Sequence, residues 1–113
     1  MDTLRFVRDA VAEKQALTCE INEKIWEYAE LGHKEFKSAR LLCDVLKAEG
    51  FTVTEGLCGL PTAFKAVYGS GHPVIGLLGE YDALPILSQE AGCPVQKPVQ
   101  TGAPGPQYDR CGK

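Results

Sequence analysis

All seven prolines and ten of the twelve glycines fall after residue 50. This division constrains the chain more than any motif, because proline removes a backbone donor and glycine weakens helices and strands alike. The first 50 residues carry 18 of the 27 charged side chains and no proline. The pattern predicts helices first, then strands and loops. No internal repeat is present.

Within the first part, Leu4, Val7, Val11, Leu17, Ile21, Ile25 and Tyr28 recur at mostly three- and four-residue steps, which places them on one face of a helix. Asp2 or Thr3 is suited to cap its start, and Gly32 to end or break it. A second helix is predicted over about Glu35 to Glu49, with Phe36, Ala39, Leu42, Cys43 and Leu46 facing inward. Gly50 stands where a left-handed residue would close that helix.

Residues 51–85 read as strands. Phe51 to Thr54 has the β-branched content of a short strand, and Ala63 to Tyr68 has a partial alternation. The turn residues Gly69-Ser70-Gly71-His72 precede Pro73 to Leu78, a run apolar on both faces, as an interior strand would be. The spacing predicts 63–78 as a hairpin or tight sheet pair. Residues 86–113 show no sustained period and read as an irregular loop, a long structureless stretch for a domain of this size.

A net charge of −3 with 44% hydrophobic residues excludes a disordered acidic tail and argues against a nucleic-acid partner, which would need a basic face. Apolar runs are only a few residues long, so no membrane span is expected. Met1-Asp2-Thr3-Leu4-Arg5 shows no basic segment leading into an apolar one, and the expected location is the cytoplasm. The odd set of Cys19, Cys43, Cys58, Cys93 and Cys111, without a Cys-x-x-Cys pair, reads as reduced thiols and not a disulfide framework.

Chemistry is best placed at Gly79-Glu80-Tyr81-Asp82-Ala83-Leu84-Pro85, directly after the apolar run. Loops beyond strand ends hold polar groups in fixed positions. Glu80 and Asp82 are two apart and share a face on an extended backbone, so the pair suits a divalent ion, a histidine held from behind, or simply a solvated acidic turn. His33 and His72 lack a histidine partner at helical or strand spacing and read as loop residues. Cys111 lies beside Arg110 and Lys113, which favour a thiolate; a frayed terminus fits the same residues. There is no nucleophile elbow, Walker loop or dinucleotide fingerprint.

Taken in order, Trp26-Glu27-Tyr28-Ala29-Glu30-Leu31-Gly32-His33-Lys34-Glu35-Phe36-Lys37-Ser38-Ala39, then Leu46 to Val53, Gly59 to Phe64 and Ile75 to Pro85 form a collinear set of motifs over about residues 20–105. The set resembles the metal-dependent amidohydrolase and metallopeptidase family that includes p-aminobenzoyl-glutamate hydrolase, hippurate hydrolase and the aminoacylases. The Gly-Glu-Tyr-Asp-Ala-Leu-Pro form is similar to the B-type branch of the first. The resemblance implies an α/β fold, with N-terminal helices on a central mixed β-sheet that is incomplete here, and a lid or dimerisation domain absent from 1–113. It implies a dinuclear centre of zinc, manganese or cobalt, an N-acyl amino acid or dipeptide-like substrate, and Asp82 as the acidic residue near the metals. Glu80 takes the place of a histidine ligand of the aminoacylase branch, and Cys111 aligns with a ligand cysteine.

The departure lies at Gly105 to Lys113, where the family carries Gly-His-Gly-Cys-Gly-His and Lys113 would replace a ligand histidine. The expectation is a truncated form that binds metal weakly and is inactive alone. The alternative is a non-catalytic chain that docks on a full-length homologue.

Overall fold

The computed structural model describes residues 2–105, which form two helices packed on a small antiparallel sheet, a short and incomplete α/β unit. Helix α1 spans Thr3–Tyr28 and helix α2 spans Phe36–Ala48. Asp2 caps α1, its Oδ1 accepting from the backbone N–H groups of Leu4 at 3.1 Å and Arg5 at 3.3 Å. The helix closes at Ala29, which takes a left-handed conformation (φ 43°) and donates its N–H to the Ile25 carbonyl. It therefore ends before Gly32, the expected terminator.

The helices run antiparallel. Lys14 pairs with Glu49 at one end, and the Lys37 ammonium lies 5.7 Å from the Tyr28 ring centroid at the other. At 1.5 Å per residue, α1 is about twice as long as α2 and overhangs it. Leu17, Ile21 and Ile25 are accordingly half-buried, but Leu4, Val7 and Val11 on the same stripe are exposed. These three lie on the predicted face, but on the part of α1 that α2 does not reach.

In α2, Ser38, Ala39 and Cys43 are buried, and burial pushes the Cys43 thiol above its ordinary value. Phe36 is corrected: at the first turn it points outward and is exposed. Gly50 (φ 89°) follows the helix, and Phe51 donates its N–H back to the Leu46 carbonyl at 2.9 Å.

Strand β1 (Thr52–Glu55) pairs antiparallel with β2 (Phe64–Val67), with Val53 opposite Ala66. The expected pairing of 63–78 does not form. Residues 73–78 belong to no strand, and Leu77 and Leu78 are each 97% exposed. A strand apolar on both faces needs cover on both, which two strands and a single helix layer do not supply.

The start of α2 is held from outside the helix. The Glu30 carboxylate accepts from the Lys37 N–H at 3.0 Å and, through its other oxygen, from both the N–H and the hydroxyl of Ser38 at 2.9 Å. Burial by itself would raise this carboxyl's pKa, but the hydrogen bonds from Ser38 and Lys37 outweigh it and hold the group below its ordinary 4.5. Because the folded value is depressed, this contribution to stability is complete above pH 4.5 and is lost as pH falls through the lower folded value. Replacing Glu30 with Ala is expected to lower stability by about 1–2 kcal/mol in urea denaturation followed by helical circular dichroism. The E30A variant should also lose part of the acid sensitivity below pH 4.5.

Candidate functional site

The loop that carries Asp82 is tied to the loop between the helices. The Ala83 N–H donates to the Glu30 carbonyl at 2.7 Å, and Leu31 bridges Ala83 in parallel. One residue later the chain turns to its other side. Leu84 and Gly105 exchange both backbone hydrogen bonds, at 2.9 and 3.0 Å. Segments 30–31, 83–84 and 105 thus lie side by side around Ala83, which is only 4% exposed. Gly105 is required there, since a Cβ would collide with the Leu87 carbonyl.

Two carboxylates flank Gly32 as a result. A Cβ added to Gly32 would stand 3.5 Å from Asp82 Oδ2 and 4.0 Å from Glu35 Oε1. Asp82 is half-buried and Glu35 is 9% exposed. Glu80, the other member of the expected acidic pair, is exposed, so the two acids have different surroundings. His33, in the left-handed region at φ 65°, and His72 are both exposed. Cys111, with Asp109, Arg110 and Lys113, lies outside the described residues.

Tyr81 completes the cluster. Its hydroxyl donates to the Thr62 carbonyl, and its ring centroid lies 6.1 Å from that of Phe64, linking the loop to β2. Burial first, then the nearby Glu35, Cys43, Glu30 and Asp82, pushes its phenol up to about 12. All of these make a phenolate harder to form.

Within residues 86–104, read as irregular from sequence, one amide ties 89–97 together. Gln89 Nε2 donates to the carbonyls of Val95 at 2.9 Å, Cys93 at 3.2 Å and Glu90 at 3.3 Å, while its Oε1 accepts from the Lys97 N–H at 2.9 Å. Sequence reasoning missed Glu30, Glu35, Tyr81 and Gln89 as organising residues. Glu30 carries no capping signal, because it lies six residues before the first residue of α2. Gln89 has no periodic context at all.

Among the described residues, no group of three or more His, Cys, Asp or Glu side chains converges to hold a metal ion. The described part therefore does not fit a complete dinuclear centre. What it does is fix a carboxylate, Asp82, beside Gly32 by backbone bonds on both sides of Ala83. No described helix is long and apolar enough to cross a membrane.

In a spectrophotometric titration, a tyrosine ionisation near pH 12 is expected, and Tyr81→Phe should remove that phase. Since the folded value lies above the unfolded 10.0, the associated stability is complete below pH 10.0 and is lost as pH rises toward 12.

No family model matches the chain. Individual proteins do. Over 102 residues, 89% of this chain, it is 47% identical to the B subunit of p-aminobenzoyl-glutamate hydrolase from Escherichia coli K12, of which it covers 21%. Over 88 residues, 76% of the chain, it is 34% identical to thermostable carboxypeptidase 1 of Saccharolobus solfataricus and 33% identical to thermostable carboxypeptidase 2 of the same organism. Each of these matches covers 22% of the relative, so the chain spans about a fifth of the length of the curated relatives it matches. The extent and level of identity agree with the motifs of residues 20–105, and the chain belongs to the amidohydrolase and peptidase family that contains these hydrolases.

Proposed function

We propose that this chain contributes the first helices, the first strands and the Asp82 loop to the catalytic domain of a metal-dependent amidohydrolase. In this reading, residues 1–113 are the N-terminal part of that domain, and the lid or dimerisation domain lies outside them. The substrate is an N-acyl amino acid or dipeptide-like amide of the p-aminobenzoyl-glutamate type. The observation that carries the reading is the 47% identity over 102 residues to a hydrolase so named.

Asp82 is the acidic residue of the metal site, with Glu80 and Cys111 as further ligands. Zinc, manganese or cobalt would supply a polarised amide carbonyl and an activated water. The chain's own contribution is positional. Ala83 locks to Glu30 and Leu84 to Gly105, so Asp82 is presented from a backbone held on both sides. The chain has only two histidines, both exposed, and in this form is inactive alone.

A chimaera tests the reading, with this chain's residues replacing the matching segment of the E. coli hydrolase. It should hydrolyse p-aminobenzoyl-glutamate, lose the activity to a chelator, and lose at least about a hundredfold in kcat on Asp82→Asn. A folded chimaera with no turnover contradicts it. The unmodified chain, supplied with zinc or manganese, should show no turnover.

A second reading is favoured by the exposed apolar run Val74, Ile75, Leu77 and Leu78. Exposed, uncharged segments of this kind seek a sheet edge. The E. coli relative is by name one subunit of its hydrolase, which suggests a partner polypeptide. Here the chain docks on a full-length homologue in the cytoplasm without catalysing anything itself. Co-purification of the two is expected, and a monodisperse monomer that unfolds cooperatively beside that homologue contradicts it.

A further inference from the structure

Nothing in the hydrolase reading uses Gln89, yet its side-chain amide makes four hydrogen bonds. Three run from Nε2 to the carbonyls of Glu90, Cys93 and Val95, and the fourth brings the Lys97 N–H to Oε1. The Glu90 N–H also donates to the Lys97 carbonyl at 2.7 Å, and the two side chains form an ion pair at 2.6 Å. Residues 89–97 are thereby folded into a closed head.

The head sits on a neck. Ser88 donates its N–H to the Ala103 carbonyl at 3.1 Å, and its hydroxyl accepts from the Gln100 N–H at 3.2 Å. The neck ends where Leu84 and Gly105 exchange both backbone bonds, with Gly105 so close to the Leu87 carbonyl that no side chain fits. The chain thus leaves and returns at one place, two positions beyond Asp82. Upstream, the Asp82 loop is held by Tyr81 bonded to Thr62 and by Ala83 bonded to Glu30. Downstream, its tie among the described residues is Leu84 to Gly105. A flexible loop closes at an entropic cost that grows with its free length. Bonding 89 to 97 shortens the free loop between Ser88 and Gln100 about fourfold, which favours closure about eightfold.

We propose that Gln89 is a positioning residue: by closing the head it keeps the neck shut, seats Gly105 against Leu84 and so fixes the downstream side of the Asp82 loop. It acts from seven positions away and makes no hydrogen bond to Asp82, Leu84 or Gly105. Its effect on catalysis rests on the hydrolase reading; the closure of the loop does not.

Residue-resolved amide exchange on the intact chain tests the closure. In the wild type, the Gln89 side-chain amide and the backbone amides of Ser88, Leu84 and Gly105 should be protected and open together. Gln89→Leu should speed exchange at Leu84 and Gly105 about eightfold, while the amides of α2 keep their protection. Gly105→Ala should have the same local effect, and combining the two should add little, because both open one closure. Gln96→Leu, the same change at an exposed glutamine of the head, should alter nothing. In the chimaera, Q89L should lower kcat about tenfold with KM within about twofold, the signature of a misplaced group and not of lost substrate binding. Unprotected Leu84 and Gly105 in the wild type, or unchanged exchange there in folded Q89L, overturns the proposal. Should Q89L fail to fold, the wild type decides: a freely exchanging Gln89 side-chain amide beside protected Leu84 and Gly105 overturns it. Unchanged kcat on Q89L in an active chimaera overturns the positioning role. A folded chimaera with no turnover sinks the hydrolase reading alone, and the exchange data still decide the closure.

Discussion

The described structure depends on Glu30. Its carboxylate spans the first turn of α2 through Lys37 and Ser38, and its carbonyl accepts the Ala83 N–H. One residue thus connects the helical half of the chain to the loop half. The carboxylate at a helix N-terminus meets both unsatisfied N–H groups and the positive end of the helix dipole, which is why its pKa is held down against burial. With that anchor in place, Ala83 is buried and Asp82 must lie beside Gly32. The acidic cluster is therefore a consequence of how the two halves join.

The rest of the molecule is secured more lightly. Its sheet has two strands, the first half of α1 overhangs α2, and residues 73–78 expose an apolar run. The exposed ion pairs that decorate the helices, such as Arg5 with Asp9 and Arg40 with Asp44, add little in water. Most of the apolar side chains that a larger core would bury are at the surface. That distribution fits a segment spanning about a fifth of its relatives' length. The segment nearest the candidate site is tied in by backbone bonds among Glu30, Ala83, Leu84 and Gly105.

Much of the local structure was legible in the sequence. The α2 boundaries, the Asp2 cap, the left-handed Gly50 and both short strands follow from periodicity, capping chemistry and β-branched content. The failures share a cause. Whether Phe36 is covered, and whether 73–78 pairs, depends on neighbours that no local pattern specifies. The helix stop at Ala29 was equally unreadable, because alanine rarely takes a left-handed conformation. The family was legible from the motifs of residues 20–105, and the identities to the hydrolases agree with it. Asp82 became a candidate from its place after the apolar run and from that resemblance; the position of Glu35 beside it came only from tertiary contacts.

The joint at Glu30 is best tested by amide hydrogen exchange, resolved by residue, on the wild type and E30A. The Lys37, Ser38 and Ala83 amides should be protected in the wild type. In the variant Lys37 and Ser38 should lose protection, and Ala83 should exchange faster with them as the loop comes away from the helix start. Unprotected Ala83 in the wild type, or Ala83 protection unchanged while α2 frays, would show that the two halves are not joined through this residue.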